Sequence, residues 1–171
     1  MRYAPLLAFL ACIPAANWMV GNVGVSCALD GPCLVPVAPG LMAPSAVLVV
    51  GAAMVLRDLL QHRLGQRYAI AAIVGGAVLS ALFAPPQLVL ASGVAFLLSE
   101  VGDMLVYTPL ARRRLLLAVA ASGVVGAVID SSAFLWLAFG DLGFLPGQIV
   151  GKLWATGAAL PVIHVLRARF A

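Results

Sequence analysis

The stretch Phe96-Leu97-Leu98-Ser99-Glu100-Val101-Gly102-Asp103-Met104-Leu105-Val106-Tyr107 holds two carboxylates inside an apolar run that begins near Leu88 and meets no charge cluster until Arg112. Glu100 and Asp103 are three apart and Tyr107 is four beyond Asp103, so on a helix all three project from one face, with Phe96 a turn earlier. The opposite face, Leu97, Val101, Leu105 and Ala95, is expected to meet lipid. An ionised side chain at the bilayer centre costs roughly 2.5–3.5 kcal/mol on insertion scales, so it turns toward a bundle interior or a polar cavity. The stretch therefore predicts a membrane span with a polar inner face, around which the remaining spans are arranged.

Composition supports a membrane reading for the rest of the chain. Of 171 residues 64% are apolar and only 9% charged, against about 25% charged in ordinary soluble domains. The mean hydropathy is +1.11. Nearly all residues are used by spans and short connections, so residues 1–171 are expected to form a single transmembrane domain. Arg2 followed by an apolar segment and Ala15-Ala16-Asn17 superficially resembles a signal peptide, but its removal would leave five spans and break the alternation of basic ends.

Six spans are expected, with starts near Tyr3, Leu41, Tyr68, Leu88, Leu115 and Leu145. Basic residues fall at Arg2, Arg57/Arg63/Arg67, Arg112/Arg113/Arg114 and Arg167/Arg169, all at one side, whereas Asp30 and Asp141 fall in loops at the other. This is the positive-inside pattern, and it predicts an all-α bundle of six transmembrane helices with both termini cytoplasmic. Gly21–Gly40, rich in Gly and Pro, reads as an outer loop, in which Cys27 and Cys33 are either a disulfide or free thiols. The second span ends either at Leu56 or, through Arg57 and Asp58, near Gly65, a natural terminator. Arg57 and Asp58 are read first as a surface pair and second as a gate. Cys12 is expected only to pack, and Trp18 to anchor at the interface.

Several polar residues fall at one depth. Counted from the basic ends at 1.5 Å per residue, Glu100 lies roughly 18 Å in, Asp130 roughly 24 Å, Lys152 roughly 22 Å, and Asn17 roughly 22 Å from Arg2. Lys152 and Asp130 are expected to pair. Glu100 and Asp103 are then left without a cation, and two carboxylates a turn apart in a dry cavity repel, so at least one is expected to carry a proton part of the time. Ser122, Gly126 and Asp130 repeat every four residues beside Gly123 and Ala127, a small-residue stripe that lets another backbone approach and that Phe134 continues. Gly147-x-x-x-Gly151 is weaker evidence of the same kind.

The pattern resembles the vitamin-uptake-type membrane family that includes bacterial queuosine precursor transporters. The resemblance rests on Asn17-Trp18, on Arg57-Asp58-Leu59 with Gly65, on Glu100-x-x-Asp103-x-x-x-Tyr107, on Asp130-x-x-x-Phe134 and on Lys152, in register across six spans. Some members carry Gln where this chain has Glu100, so the charge there is not required for every substrate. The resemblance implies a transporter of the bacterial inner membrane that imports 7-cyano-7-deazaguanine (preQ0) or a related 7-deazaguanine for salvage into tRNA modification. The expected substrate-binding residues are Asn17, Glu100, Asp103, Asp130, Gln148, Lys152, Phe96, Tyr107 and Phe134, with Trp154 a further stacking candidate. A guanine-like ring presents an amide N–H beside an exocyclic amine for a carboxylate, and a carbonyl and ring nitrogens for donors such as Asn, Gln or Lys. No cofactor and no metal are expected. The partners are a purine-like small molecule and the lipid bilayer, with no nucleic acid; homodimerisation is left open.

The competing readings are fewer. A substrate-binding component of an energy-coupling-factor vitamin importer also has six spans, and Ala4-x-x-x-Ala8 and Ala11-x-x-x-Ala15 on the first span offer a docking stripe. No nucleotide-binding motif is present, so the chain does not itself hydrolyse ATP. An enzyme is not expected: there is no His-Glu-x-x-His helix and no Gly-x-Ser-x-Gly elbow, leaving only an aspartyl dyad from Asp103 and Asp130.

Overall fold

The computed structural model describes residues 3–27, 31–84 and 86–170, without the side chains of Gln87 and residues 166–170. Arg2, Asp30 and Pro85, which the sequence places at the two ends of the bundle, lie outside the described residues, as do the side chains of Arg167 and Arg169.

Six long helices carry the structure: α1 (Ala4–Asn22), α2 (Val47–Leu64), α3 (Gln66–Phe83), α4 (Val89–Ala111), α5 (Leu115–Phe139) and α6 (Leu145–Phe170). Four of them, α1, α3, α4 and α5, are long and apolar enough to cross a membrane. α2 runs through Arg57 and Asp58 and stops where Gly65 takes a φ of +94°, a left-handed conformation that favours glycine. The later of the two expected ends is therefore the one adopted.

The described part of the Gly/Pro-rich segment between α1 and α2 is more ordered than its composition suggests. It forms a three-stranded antiparallel sheet, β1 (Ser26–Cys27), β2 (Cys33–Ala38) and β3 (Leu41–Pro44), so the chain is not all-α and the second helix begins at Val47 rather than near Leu41. Cys27 and Cys33 face each other across β1 and β2 and are joined by a disulfide. Pro36 is tolerated in the middle strand because β1 ends short of it and the ladder to β3 is irregular between Pro36 and Ala38. The sheet docks on α6 through the Gly147-x-x-x-Gly151 pair: a methyl on Gly147 would overlap the Met42 carbonyl, and one on Gly151 would press on Val47 and Val37. Ser45, buried, donates to the Met19 carbonyl at 2.7 Å and ties the start of α2 to the end of α1.

The centre of the bundle is α2, which packs against α1, α3, α4, α5 and α6. The arrangement around α4 that the sequence suggests is thus shifted by one element. α4 instead lies along α5, where Gly126 admits the Asp103 carboxyl and Gly123 faces Thr156 of α6. Leu97, Val101 and Leu105 are exposed as expected, but Ala95 is buried at 1% exposure. The outside is apolar, with Leu7, Val78, Leu90 and Trp136 all well exposed, while Arg57, Asp58, Glu100, Asp103 and Lys152 are buried.

Two glycines separate close approach from mere flexibility. Gly147→Ala should lower the thermal midpoint in detergent, since overpacking against backbone costs about 1–3 kcal/mol. Gly93→Ala, with nothing near its missing Cβ, should raise it slightly, by about 0.5–1 kcal/mol of helix propensity.

Candidate functional site

Two groups of buried ions occupy the interior. In the first, the Arg57 guanidinium contacts three carboxylates: Nε donates to Glu100 Oε2 at 2.7 Å, Nη2 lies 2.5 Å from Asp103 Oδ1, and Nη1 lies 2.9 Å from Asp58 Oδ1. Arg57 is fully buried and its three partners are at most 2% exposed. Ser122 donates to Asp58 Oδ2 at 3.1 Å, and the Tyr107 hydroxyl donates to the Asp58 backbone carbonyl at 3.0 Å. The Tyr107 ring stacks 5.8 Å from the guanidinium carbon. Arg57 and Asp58 are therefore an internal cluster and not a surface pair, and Glu100 and Asp103 do have a cation. A planar guanidinium with five donors meets several carboxylates at once, which a single ammonium does less well.

The second group is the expected one. Lys152 donates to Asp130 Oδ2 at 2.5 Å, to Ser131 Oγ at 2.7 Å and to Gln148 Oε1 at 2.9 Å. These contacts use all three ammonium donors. Ser99 donates to the Phe96 carbonyl and lies 3.4 Å from Asp130 Oδ1, so α4, α5 and α6 meet here.

A cavity of about 110 Å³ lies between α1, the start of α2, α4, α5 and α6, in the half of the bundle nearer the sheet. At roughly 10–15 Å³ per water centre it has room for several waters, hence for a small flat ligand. Its polar lining includes Asn17, Ser80, Ser92, Ser99, Glu100, Asp130, Gln148 and Lys152, and Phe96 and Phe134 form aromatic walls. Cys12 also lines it, beyond the packing role expected of it. Below the cavity, toward the exposed Arg63, Arg67 and Arg112–Arg114, Tyr107 packs with Val55, Leu115, Val119 and Ile163.

Of the nine sequence-selected residues, Asn17, Glu100, Asp130, Gln148, Lys152, Phe96 and Phe134 are brought together at this cavity. Asp103 and Tyr107 are not among its lining residues and belong to the Arg57 cluster. The exposed Trp154 donates its indole N–H to the Val37 carbonyl at 3.0 Å, on the sheet side of α6. Asp103 pairs with Arg57 and Asp130 with Lys152, so each of the two aspartates has its own cation. Reading the sequence alone undervalued Arg57, Asp58, Ser99 and Ser131. Arg57 and Asp58 carried a usable signal, two opposite charges continuing an apolar helix before its glycine stop.

Among the cavity's polar groups, Glu100, Asn17 and Gln148 have hydrogen-bonding capacity to spare. Arg57 engages Oε2 of Glu100, leaving Oε1 for a ligand. Asn17 uses one amide hydrogen on the Ile13 carbonyl at 3.0 Å and keeps the other, while Gln148 receives Lys152 on its oxygen and keeps its amide nitrogen.

Long apolar helices, an apolar exterior and an ionic interior beside a cavity define a multi-pass membrane protein of the transporter class. The family described as "Putative vitamin uptake transporter" matches residues 79–166, just over half of the chain, and the chain belongs to that family. No curated protein and no solved structure matches. The matched segment holds Glu100, Asp103, Asp130 and Lys152; Asn17, Arg57 and Asp58 lie before it.

Removing Arg57 should be more damaging than removing any surface arginine. Arg57→Gln leaves three buried carboxylates without their cation and should destabilise by about 3–5 kcal/mol, read as a large fall in thermal midpoint in detergent. Arg113→Gln, exposed, should leave the midpoint unchanged.

Proposed function

We propose that the protein imports a purine-like queuosine precursor, 7-cyano-7-deazaguanine or a related 7-deazaguanine, across the bacterial inner membrane. The observation that carries this reading is the cavity, whose lining combines a free acceptor on Glu100 and free donors on Asn17 and Gln148 with the rings of Phe96 and Phe134. Glu100 Oε1 accepts the ring amide N–H or the exocyclic amine. The amides of Asn17 and Gln148 donate to the carbonyl and ring nitrogen, and Phe96 and Phe134 flank the ring plane. Lys152 and Asp130 fix Gln148 and the cavity floor, and Asp103 supports Glu100 through Arg57. No step of this reading is catalytic.

All six helices span the membrane in this reading, with α2 and α6 admitted because their charges are paired inside the bundle. Both termini are then cytoplasmic and the disulfide-linked sheet lies on the oxidising side. A membrane-impermeant thiol reagent applied to intact spheroplasts should label Cys27 and Cys33 only after reduction. Labelling that requires lysis would reverse the orientation.

The energy-coupling-factor alternative rests on one observation: Ala4, Ala11 and Ala15 are exposed on α1 with Ala8 half-buried. Uptake in a host lacking the partner ATPase separates the two, since a docked component would be inactive there.

The direct test is uptake of isotope-labelled 7-cyano-7-deazaguanine into cells unable to make it. Wild type should accumulate label. Glu100→Gln, Asp130→Asn and Lys152→Met should each reduce the initial rate at least about tenfold, as expected for the loss of a hydrogen bond to a charged group. Trp154→Phe should be unaffected. Normal accumulation in all three cavity variants would remove the site assignment.

A further inference from the structure

One guanidinium and three carboxyl groups share the enclosed space around Arg57, so two negative charges are left over if every acid is ionised. The neighbouring groups do not supply the difference. On α6, Lys152 is committed to Asp130 of α5. On α4, Tyr107 gives its hydroxyl proton to the Asp58 backbone. Ser122 of α5 gives its proton to Asp58 Oδ2, and Gln61 of α2 gives its amide to Thr108 at 2.9 Å. The ionisable groups of α3, Arg67 and Tyr68, are exposed at the far end, and α1 brings only Cys12, in the cavity lining.

The acids are not equally provided for. Glu100 accepts Arg57 Nε, and Asp58 accepts Ser122. Asp58 is left with Oδ1 buried and without a hydrogen-bond partner, whereas on Asp103, 1% exposed, both oxygens lack one and Oδ1 meets Arg57 only as an ion pair. A bare carboxylate oxygen in a dry interior is costly, and a proton on it removes one of the surplus charges. A metal ion is a poor alternative, because Arg57 already holds the centre of the cluster and would repel it.

We propose that Asp103 is a proton site and that ligand binding at Glu100 is exchanged against its proton through the guanidinium of Arg57. This deepens the import reading and rests on it for the ligand. Arg57 touches Glu100 with Nε and Asp103 with Nη2. Ring N–H donors that satisfy Glu100 weaken its claim on Arg57, and the guanidinium then turns more fully to Asp103. Asp103 ionises, and its proton leaves the cluster as H⁺. By linkage, ligand affinity rises as pH rises while the proton is bound, by up to about tenfold per pH unit for one proton.

Two measurements on the purified full-length protein test this. Calorimetric titration with 7-cyano-7-deazaguanine in buffers of different ionisation enthalpy should report release of about one proton per ligand. Release should vanish in Asp103→Asn and return in Asp103→Glu. Infrared difference spectra against deuterated buffer should show a carboxylic-acid C=O stretch in ligand-free wild type that is lost in Asp103→Asn. Binding without proton release, or proton uptake on binding, overturns the exchange but leaves the import reading intact. Release that requires sodium, or that persists in Asp103→Asn, also overturns it. If wild type does not bind the deazaguanine, the import reading fails and the exchange falls with it. The infrared band then decides Asp103 as a proton site alone, and its absence from wild type overturns that too.

Discussion

A guanidinium in a dry interior must have its charge met from all sides, and this constraint organises the molecule. Arg57 reaches Asp58 on its own helix and Glu100 and Asp103 on α4, and Ser122 of α5 steadies Asp58. To bring these groups together α2 has to be central, touching every other long helix. The approach of α5 must also be close, which the glycine at 126 permits where it faces the Asp103 carboxyl. A buried ion cluster is weak evidence for stability in itself, since well-packed apolar residues often serve as well or better. Its retention in a bundle with so apolar an exterior argues for a role in handling polar cargo.

Glu100 is where structure and proposed chemistry meet. One of its oxygens belongs to the Arg57 cluster and the residue also lines the cavity, so in the import reading a ligand at Glu100 touches the Arg57 ion network directly. The Lys152 group also lines the cavity with its ammonium donors fully used, while the amides of Gln148 and Asn17 keep hydrogens able to donate to a ligand. The two ends differ. The sheet-side half contains the cavity, while the arginine-rich half is filled by Tyr107 and an apolar cluster. In the import reading, passage through the bundle requires that packed half to loosen, and the ion cluster lies between it and the ligand.

Much of this was legible in the chain because membrane physics writes strong signals. Apolar runs gave α1, α3, α4 and α5 nearly to the residue, and an ammonium in mid-helix at Lys152 demanded a carboxylate that Asp130 supplies at 2.5 Å. The stripe Ser122, Gly126, Asp130 does face its neighbours. Other features were hidden for identifiable reasons. Arg57 and Asp58 read as a surface pair because position along one helix does not reveal that this helix is central and so shielded on all sides. The sheet was masked by Gly and Pro, residues that normally interrupt strands, and its register is held by a disulfide that spacing alone left undecided. Ala95 looked lipid-facing by helical period, but the surface of α4 buried by its neighbours is wider than one narrow stripe.

The central claim is that a ligand-sized hollow is served by ionisable groups from separate helices, with Glu100 shared between the ligand and Arg57. A cryo-electron microscopy map of the protein bound to 7-cyano-7-deazaguanine tests it most directly. The account predicts ring density between Phe96 and Phe134, with Glu100 Oε1 and the Gln148 or Asn17 amide at hydrogen-bond distance. Ligand density elsewhere, with the hollow empty and Glu100 held by Arg57 alone, would contradict it.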